Sequence, residues 1–219
     1  MIEVSTSILT IKKGKELETI LALEKAKTDY FHIDVMDGKF VVNDTYELMQ
    51  ENISQIKKVS SLPLDVHLMV DDVKKGIEDF SVYDPNIITF HYEACENKEQ
   101  VFEYINLIKK YNSKIGLSVK PNTNIEEIYE FIPYIHMVLV MTVEPGLGGQ
   151  ELIPETLEKI EALKKYVDKY NYEIDIEADG GINLDTVEEI KKVGTNIIVA
   201  GSSILNSEDY SIMIKELKK

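Results

Sequence analysis

The sequence predicts a (β/α)8 barrel forming one domain over residues 1–219. Three observations carry that reading. Eight short β-branched runs alternate with eight amphipathic segments from end to end. Polar residues recur at every second position in runs far apart in the chain, and residue types suited to chemistry collect where those runs stop. The candidate strands are 2–8, 30–36, 64–69, 86–91, 114–119, 136–142, 172–178 and 196–200, and the candidate helices 16–27, 47–58, 72–81, 98–111, 124–131, 154–170, 184–193 and 209–218. Eight such units close a barrel. A doubly wound open sheet is disfavoured because no glycine-rich dinucleotide fingerprint follows the first run, and because inward polar residues come from distant strands. No linker, low-complexity tract or shift in composition marks a domain boundary.

Taken in order, the first run ends at Ser7, and the second, Tyr30-Phe31-His32-Ile33-Asp34-Val35-Met36, places His32, Asp34 and Met36 on one face and Phe31, Ile33 and Val35 on the other. The third repeats the pattern with Asp65, His67 and Met69 opposite Leu64, Val66 and Leu68. The fourth ends at His91, and the sixth leads into Pro145-Gly146-Leu147-Gly148-Gly149-Gln150. The seventh carries an acid at every second position through Asp179-Gly180-Gly181, and the eighth ends at Gly201-Ser202. In such barrels the carboxyl ends of the strands form the active-site rim.

Two imidazoles and two carboxylates from separate strands can bind one divalent cation per subunit, and the set His32, Asp34, His67 and Asp179 suits zinc first, with iron(II), manganese or cobalt compatible. The glycines after the last strands read as a phosphate cradle, since glycine lets backbone approach an anion closely. Met36, Met69 and Met141 fall near strand ends; core filling is the default account of methionine, and a soft apolar floor beside the metal is the other. His91 reads equally as a partner of substrate or of a ligand carboxylate and as an internal structural residue, His136 as structural, and Lys120 as an exposed lysine or a phosphate contact.

Acidic residues outnumber basic ones 39 to 24, for a net charge of −15, and arginine is absent. That balance argues against nucleic acid and anionic membrane as partners, and it leaves an anionic substrate to be attracted locally by backbone amides and a metal. Cys95 is the only cysteine, and nothing resembles a secretory leader or a membrane span, so a cytoplasmic protein is expected.

The runs Ser7-Ile8-Leu9, His32-Ile33-Asp34-Val35-Met36-Asp37-Gly38, Asp65-Val66-His67-Leu68-Met69-Val70, Phe90-His91-Tyr92-Glu93-Ala94, Pro145 to Gln150, Asp179-Gly180-Gly181 and Ala200-Gly201-Ser202 resemble, in order and across the whole chain, the ribulose-phosphate 3-epimerase family. The resemblance implies an enzyme that inverts C3 of D-ribulose 5-phosphate to give D-xylulose 5-phosphate, in the pentose phosphate pathway. It further implies a metal held by His32, Asp34, His67 and Asp179, and proton exchange through Asp34 and Asp179. Ser7, His67 and Asp179 would meet the substrate, and Gly146, Leu147, Gly148, Gly149, Gly180, Gly181, Gly201 and Ser202 would lie around its phosphate end. The family also implies a homo-oligomer, a dimer or a hexamer.

The chain departs from the family pattern at Ser5-Thr6, Val42, Glu47-Leu48, Leu147 and Leu152, which bears on the packing of the lid loop and the sugar end of the pocket, and none is a ligand or proton carrier. These departures and Met141-Thr142-Val143 keep a D-allulose 6-phosphate 3-epimerase as the alternative. A metal-independent phosphate-binding barrel would need a Schiff-base lysine or an isolated acid pair, and a non-catalytic sugar-phosphate binder would be expected to have lost one of the four residues.

Overall fold

A computed structural model describes residues 2–219. Eight parallel strands form a closed barrel in sequence order, with the first pairing the last: β1 (Glu3–Ser7), β2 (Tyr30–Met36), β3 (Leu64–Met69), β4 (Ile87–His91), β5 (Lys114–Val119), β6 (Met137–Met141), β7 (Asp175–Asp179) and β8 (Ile197–Ala200). Around it lie α1 (Glu16–Lys25), α2 (Tyr46–Val59), α3 (Val73–Ser81), α4 (Lys98–Lys110), α5 (Glu155–Tyr170), α6 (Val187–Lys192), α7 (Ser202–Leu205) and α8 (Tyr210–Lys218). Strand alternation divides the side chains into two populations. The outward set, including Phe31, Ile33, Val35, Val66, Leu68, Phe90 and Val138, packs against Ile20 and Leu23 of α1, Ile53 of α2, Phe80 of α3 and their counterparts around the ring. Each such side chain is stabilised by about 1.5–3 kcal/mol relative to exposure, so the seam between barrel and helices carries the stability.

The inward set is mostly polar. Its amino-terminal end is plugged by Ile87, Met137 and Ile197 with Tyr30 against them, and apolar groups return at the opposite mouth as Met36, Val41 and Met69 and as Leu139, Met141 and Val143. Several helices start on side-chain caps: Asp72 accepts from the Lys75 N–H, Asn97 from that of Gln100, and Asp209 from those of Ser211 and Ile212. No helix among the described residues is long and apolar enough to cross a membrane.

Several elements differ from the sequence expectation. The helical pattern over 124–131 is a 3-10 segment, Ile125–Tyr134, containing Pro133, which lacks an N–H and opposes α-helical winding. The seventh strand begins at Asp175 rather than 172, because Asn171 ends α5 in the left-handed conformation (φ 55°) and the Tyr172 N–H turns back to the Val167 carbonyl. Two short turns, Tyr92–Ala94 and α7, are too brief for a periodicity to reveal them.

Candidate metal centre and active-site cleft

The register of β2 on β3 pairs His32 with Asp65, Asp34 with His67 and Met36 with Met69, all facing the barrel interior. Asp179 ends β7, beside Met141 of β6 and Val199 of β8. One atom from each of His32, Asp34, His67 and Asp179 falls in a common cluster, every pair within 4.8 Å. The His32 Nε2 atom is 3.3 Å from Asp34 Oδ1 and 3.8 Å from Asp179 Oδ2, and His67 Nδ1 is 3.5 and 3.6 Å from the same two oxygens. Nitrogen and oxygen ligands at about 2.0–2.2 Å around a four-coordinate ion are separated from one another by about 3.3–3.6 Å, so these spacings fit one divalent cation. Both imidazole nitrogens are buried and have no hydrogen-bond partner, as ligand lone pairs would be.

The atoms behind this cluster are paired. Asp34 Oδ2 accepts a 2.7 Å bond from the Ser7 hydroxyl, leaving Oδ1 for the cluster. His32 Nδ1 lies 2.6 Å from Asp65 Oδ2, which also accepts from the Ser5 hydroxyl at 2.8 Å. His67 Nε2 is 2.9 Å from His91 Nε2, and His91 Nδ1 is 3.1 Å from Glu93 Oε2. Asp65 and Glu93 were not assigned roles from the sequence, although each left a signal: Asp65 shares the inward parity of His67, and Glu93 lies two residues beyond His91.

The electrostatics call for positive charge. Burial opposes a charged His32, but the carboxylates of Asp65 and Asp34 outweigh it and hold its pKa well above the ordinary imidazole range. Burial likewise works against ionised Asp34, yet His32 and the hydrogen bonds to it hold its carboxyl far below the usual range. Asp179 goes the other way: burial pushes it up to about 6, with the His32 charge pulling against it and Asp34 adding to it. Burial lowers His91 to about 4. Deeper in the barrel, burial and the Asp65 charge raise Glu177 well above the ordinary carboxylate range, and neither of its oxygens has a partner. A second cluster, His32, Asp65 and Glu177, shares its imidazole with the first.

Above the four-residue cluster a cleft opens at the carboxyl ends of the strands. Ser7, Asp34, Met36, Met69, Met141, Gly146, Leu147, Gly148, Gly149, Asp179, Gly180, Gly181, Gly201 and Ser202 all line it, and no lysine does. The sequence-derived residues therefore meet in one place, except that His32 and His67 are fully buried beneath the cleft. Gly181 holds φ 68°, and a Cβ there would collide with the backbone of Leu152, so the loop path requires glycine. Lys120 lies elsewhere, its ammonium 3.9 Å from the centre of the Phe40 ring and its N–H bonded to Glu93. His136 is an exposed residue whose Nδ1 accepts from the Ile115 N–H.

Comparison with known proteins shows the family and the fold. The chain matches the model of the ribulose-phosphate 3 epimerase family over residues 3–205. It is 38% identical over 220 residues to a ribulose-phosphate 3-epimerase of Methanocaldococcus jannaschii, covering 100% of this chain and 91% of the relative. Its counterpart from Bacillus subtilis is 36% identical over 219 residues, covering 100% of this chain and 99% of the relative. Among solved structures, a 3-hexulose-6-phosphate synthase superposes with a TM-score of 0.71 at 15% identity, covering 99% of this chain and 98% of that one, a likeness of fold alone.

Proposed function

The chain belongs to the ribulose-phosphate 3-epimerase family, and from that premise we propose that it interconverts D-ribulose 5-phosphate and D-xylulose 5-phosphate at the cleft above His32, Asp34, His67 and Asp179. The observation that carries the reading is the convergence of two unpartnered imidazole nitrogens and two carboxylates at the floor of that cleft. His32 Nε2, Asp34 Oδ1, His67 Nδ1 and Asp179 Oδ2 would hold a divalent ion, with zinc, iron(II), manganese and cobalt all suited to this donor set. Once bound, the ion would supply Lewis-acid stabilisation of the negative charge that develops on the substrate oxygens.

The chain's own residues supply the rest. Removal of the C3 proton breaks the C3–H bond and leaves its electron pair in an enediolate, and return of a proton to the opposite face completes the inversion. Asp34 and Asp179 come from β2 and β7, which flank the β1–β8 pair, so they approach a planar intermediate from two sides. Asp34 has its Oδ2 fixed by the Ser7 hydroxyl, which holds the carboxylate in place to take the proton. Asp179, pushed up to about 6 by burial, is the more readily protonated of the two and suits delivery of the proton. In the reverse direction the two exchange duties. Met36, Met69 and Met141 lend the cleft apolar lining that limits water at the reacting carbon. The phosphate would be met by backbone amides of the glycine loops and the first turn of α7, whose leading N–H groups have no helical partner.

Chelation tests the reading. Purified protein assayed on D-ribulose 5-phosphate should lose turnover when stripped of metal and regain it with one equivalent of a divalent ion per chain. Undiminished turnover in metal-free protein would refute the metal assignment. D-Allulose 6-phosphate, assayed in parallel, should be the poorer substrate.

A further inference from the structure

We propose that His91 and Glu93 are positioning residues that fix the tautomer of His67, so that the lone pair of its Nδ1 is the one presented to Asp34 and Asp179. The inference rests on the metal-centre reading above and extends it to residues outside the four-residue cluster.

The argument is a count of donors and acceptors along one chain of contacts. Glu93 ends it. Its Oε1 accepts the Lys120 N–H at 2.6 Å and the Thr123 hydroxyl, and its Oε2 faces His91 Nδ1 at 3.1 Å. A carboxylate occupied in this way only accepts, so His91 Nδ1 must carry the proton. In a neutral imidazole that leaves His91 Nε2 bare, an acceptor. Among the described residues the group bonded to that nitrogen is His67 Nε2, at 2.9 Å, which must therefore be N–H. By the same rule His67 Nδ1 is bare, and it is the atom that stands 3.5 and 3.6 Å from the two aspartate oxygens with no hydrogen-bond partner. Had either ring taken the other tautomer, two lone pairs would face each other inside the barrel.

Packing holds the chain in this state. His67 and His91 are fully buried with their rings stacked at 5.0 Å, and Phe40 covers His91 at 4.9 Å between ring centres. Water cannot easily substitute for either partner. The Asp65–His32 contact does the same work for the other imidazole through a single carboxylate, which points His32 Nε2 at the cluster.

Two measurements on the full chain test this. In Zn2+-loaded protein labelled with 15N-histidine, the ring nitrogens should report His67 protonated at Nε2 and His91 protonated at Nδ1 only. Zn2+ affinity, measured by competition with a chromophoric chelator, should fall about 10–100-fold in His91→Phe, which removes the acceptor. It should stay within about threefold of wild type in His91→Gln, whose side-chain carbonyl can replace that acceptor. Wild-type affinity in His91→Phe, or a proton on His91 Nε2 in the wild-type spectrum, would overturn the inference and leave the metal centre standing. The spectrum decides alone if His91→Phe does not fold. A wild-type chain that takes up no Zn2+ would overturn the metal reading and this inference together.

Discussion

Replacing Glu93 with glutamine should destabilise the protein most at neutral pH and progressively less in acid. Burial alone would raise this carboxyl, but His91, Thr123 and the Lys120 N–H outweigh it and bring it down to about 2, against 4.5 for an ordinary glutamate. At about 1.4 kcal/mol for each tenfold difference in proton affinity, that gap caps the contribution at about 3 kcal/mol. The side chain is 19% exposed, and a glutamine oxygen can keep part of the same bonding. A loss of about 2 kcal/mol at pH 7 is therefore the working figure. The sign follows from the depressed folded value: the contribution is whole above the unfolded pKa of 4.5 and is lost as pH falls toward about 2. Urea unfolding of both chains from about pH 7 to about pH 3.5 measures this, because the difference between them cancels every other titrating carboxyl. The advantage of the wild type should shrink by about 0.5 kcal/mol over that range, because protonation of His91 near pH 4, which Glu93 favours, offsets part of the loss. A difference that stays constant, or grows on acidification, would refute the ionised, acceptor-only Glu93 on which the tautomer argument depends.

Asp34→Asn and Asp179→Asn should each lower kcat by at least about 100-fold; the urea midpoint should fall for Asp34→Asn, whose depressed carboxyl is paired with His32, and hold or rise for Asp179→Asn, whose carboxyl burial raises; near-normal epimerisation by either would take that residue off the proton path. Gly181→Ala should cost about 2–4 kcal/mol in urea unfolding, since the positive φ and the collision with the Leu152 backbone add; a loss under about 0.5 kcal/mol would mean the loop yields freely. With a net charge of −15 and no lysine lining the cleft, kcat/KM for a phosphorylated substrate should rise about two- to threefold between low and physiological salt as long-range repulsion is screened. A fall would point to a cationic side chain steering substrate.

The barrel and the four-residue cluster were legible because one rule, alternation along a strand, fixes both. The same pattern that buries Phe31, Ile33 and Val35 against the helices sends His32, Asp34 and Met36 inward, so a reading correct for the core was correct for the site. What alternation does not encode is which inward residues touch. Asp65 meets His32 because of the β2–β3 register, and that register depends on packing around the whole ring. Glu93 reaches His91 because the chain turns immediately after β4 in a three-residue 3-10 element, too short to leave a periodic trace. Pro133 shows the complementary failure: the helical period over 124–131 was real, but the period of apolar residues does not distinguish α from 3-10 winding.

The unpartnered polar atoms of the interior explain how such a site is tolerated. A buried donor or acceptor without a partner costs about 1–3 kcal/mol, and His32 Nε2, Asp65 Oδ1, His67 Nδ1 and both Glu177 oxygens occur together inside one barrel. A small domain with a single core could not easily bear that cost. Here the apolar seam between barrel and helices is a separate structure from the lumen, and it includes fully buried side chains from all eight strands. Stability and chemistry are thereby assigned to opposite faces of the same strands. A change to an outward residue such as Ile33 acts on folding, and a change to its neighbour His32 acts on the site, one position apart in sequence and on opposite sides of the sheet. The pattern also accounts for four of the departures from the family, although the departure at Ser5 is buried and bonds Asp65 directly. Val42, Glu47, Leu48 and Leu147 lie at the barrel mouth or on the loop and helix beside it, each of them exposed, where a substitution alters what the cleft admits without touching the relays beneath.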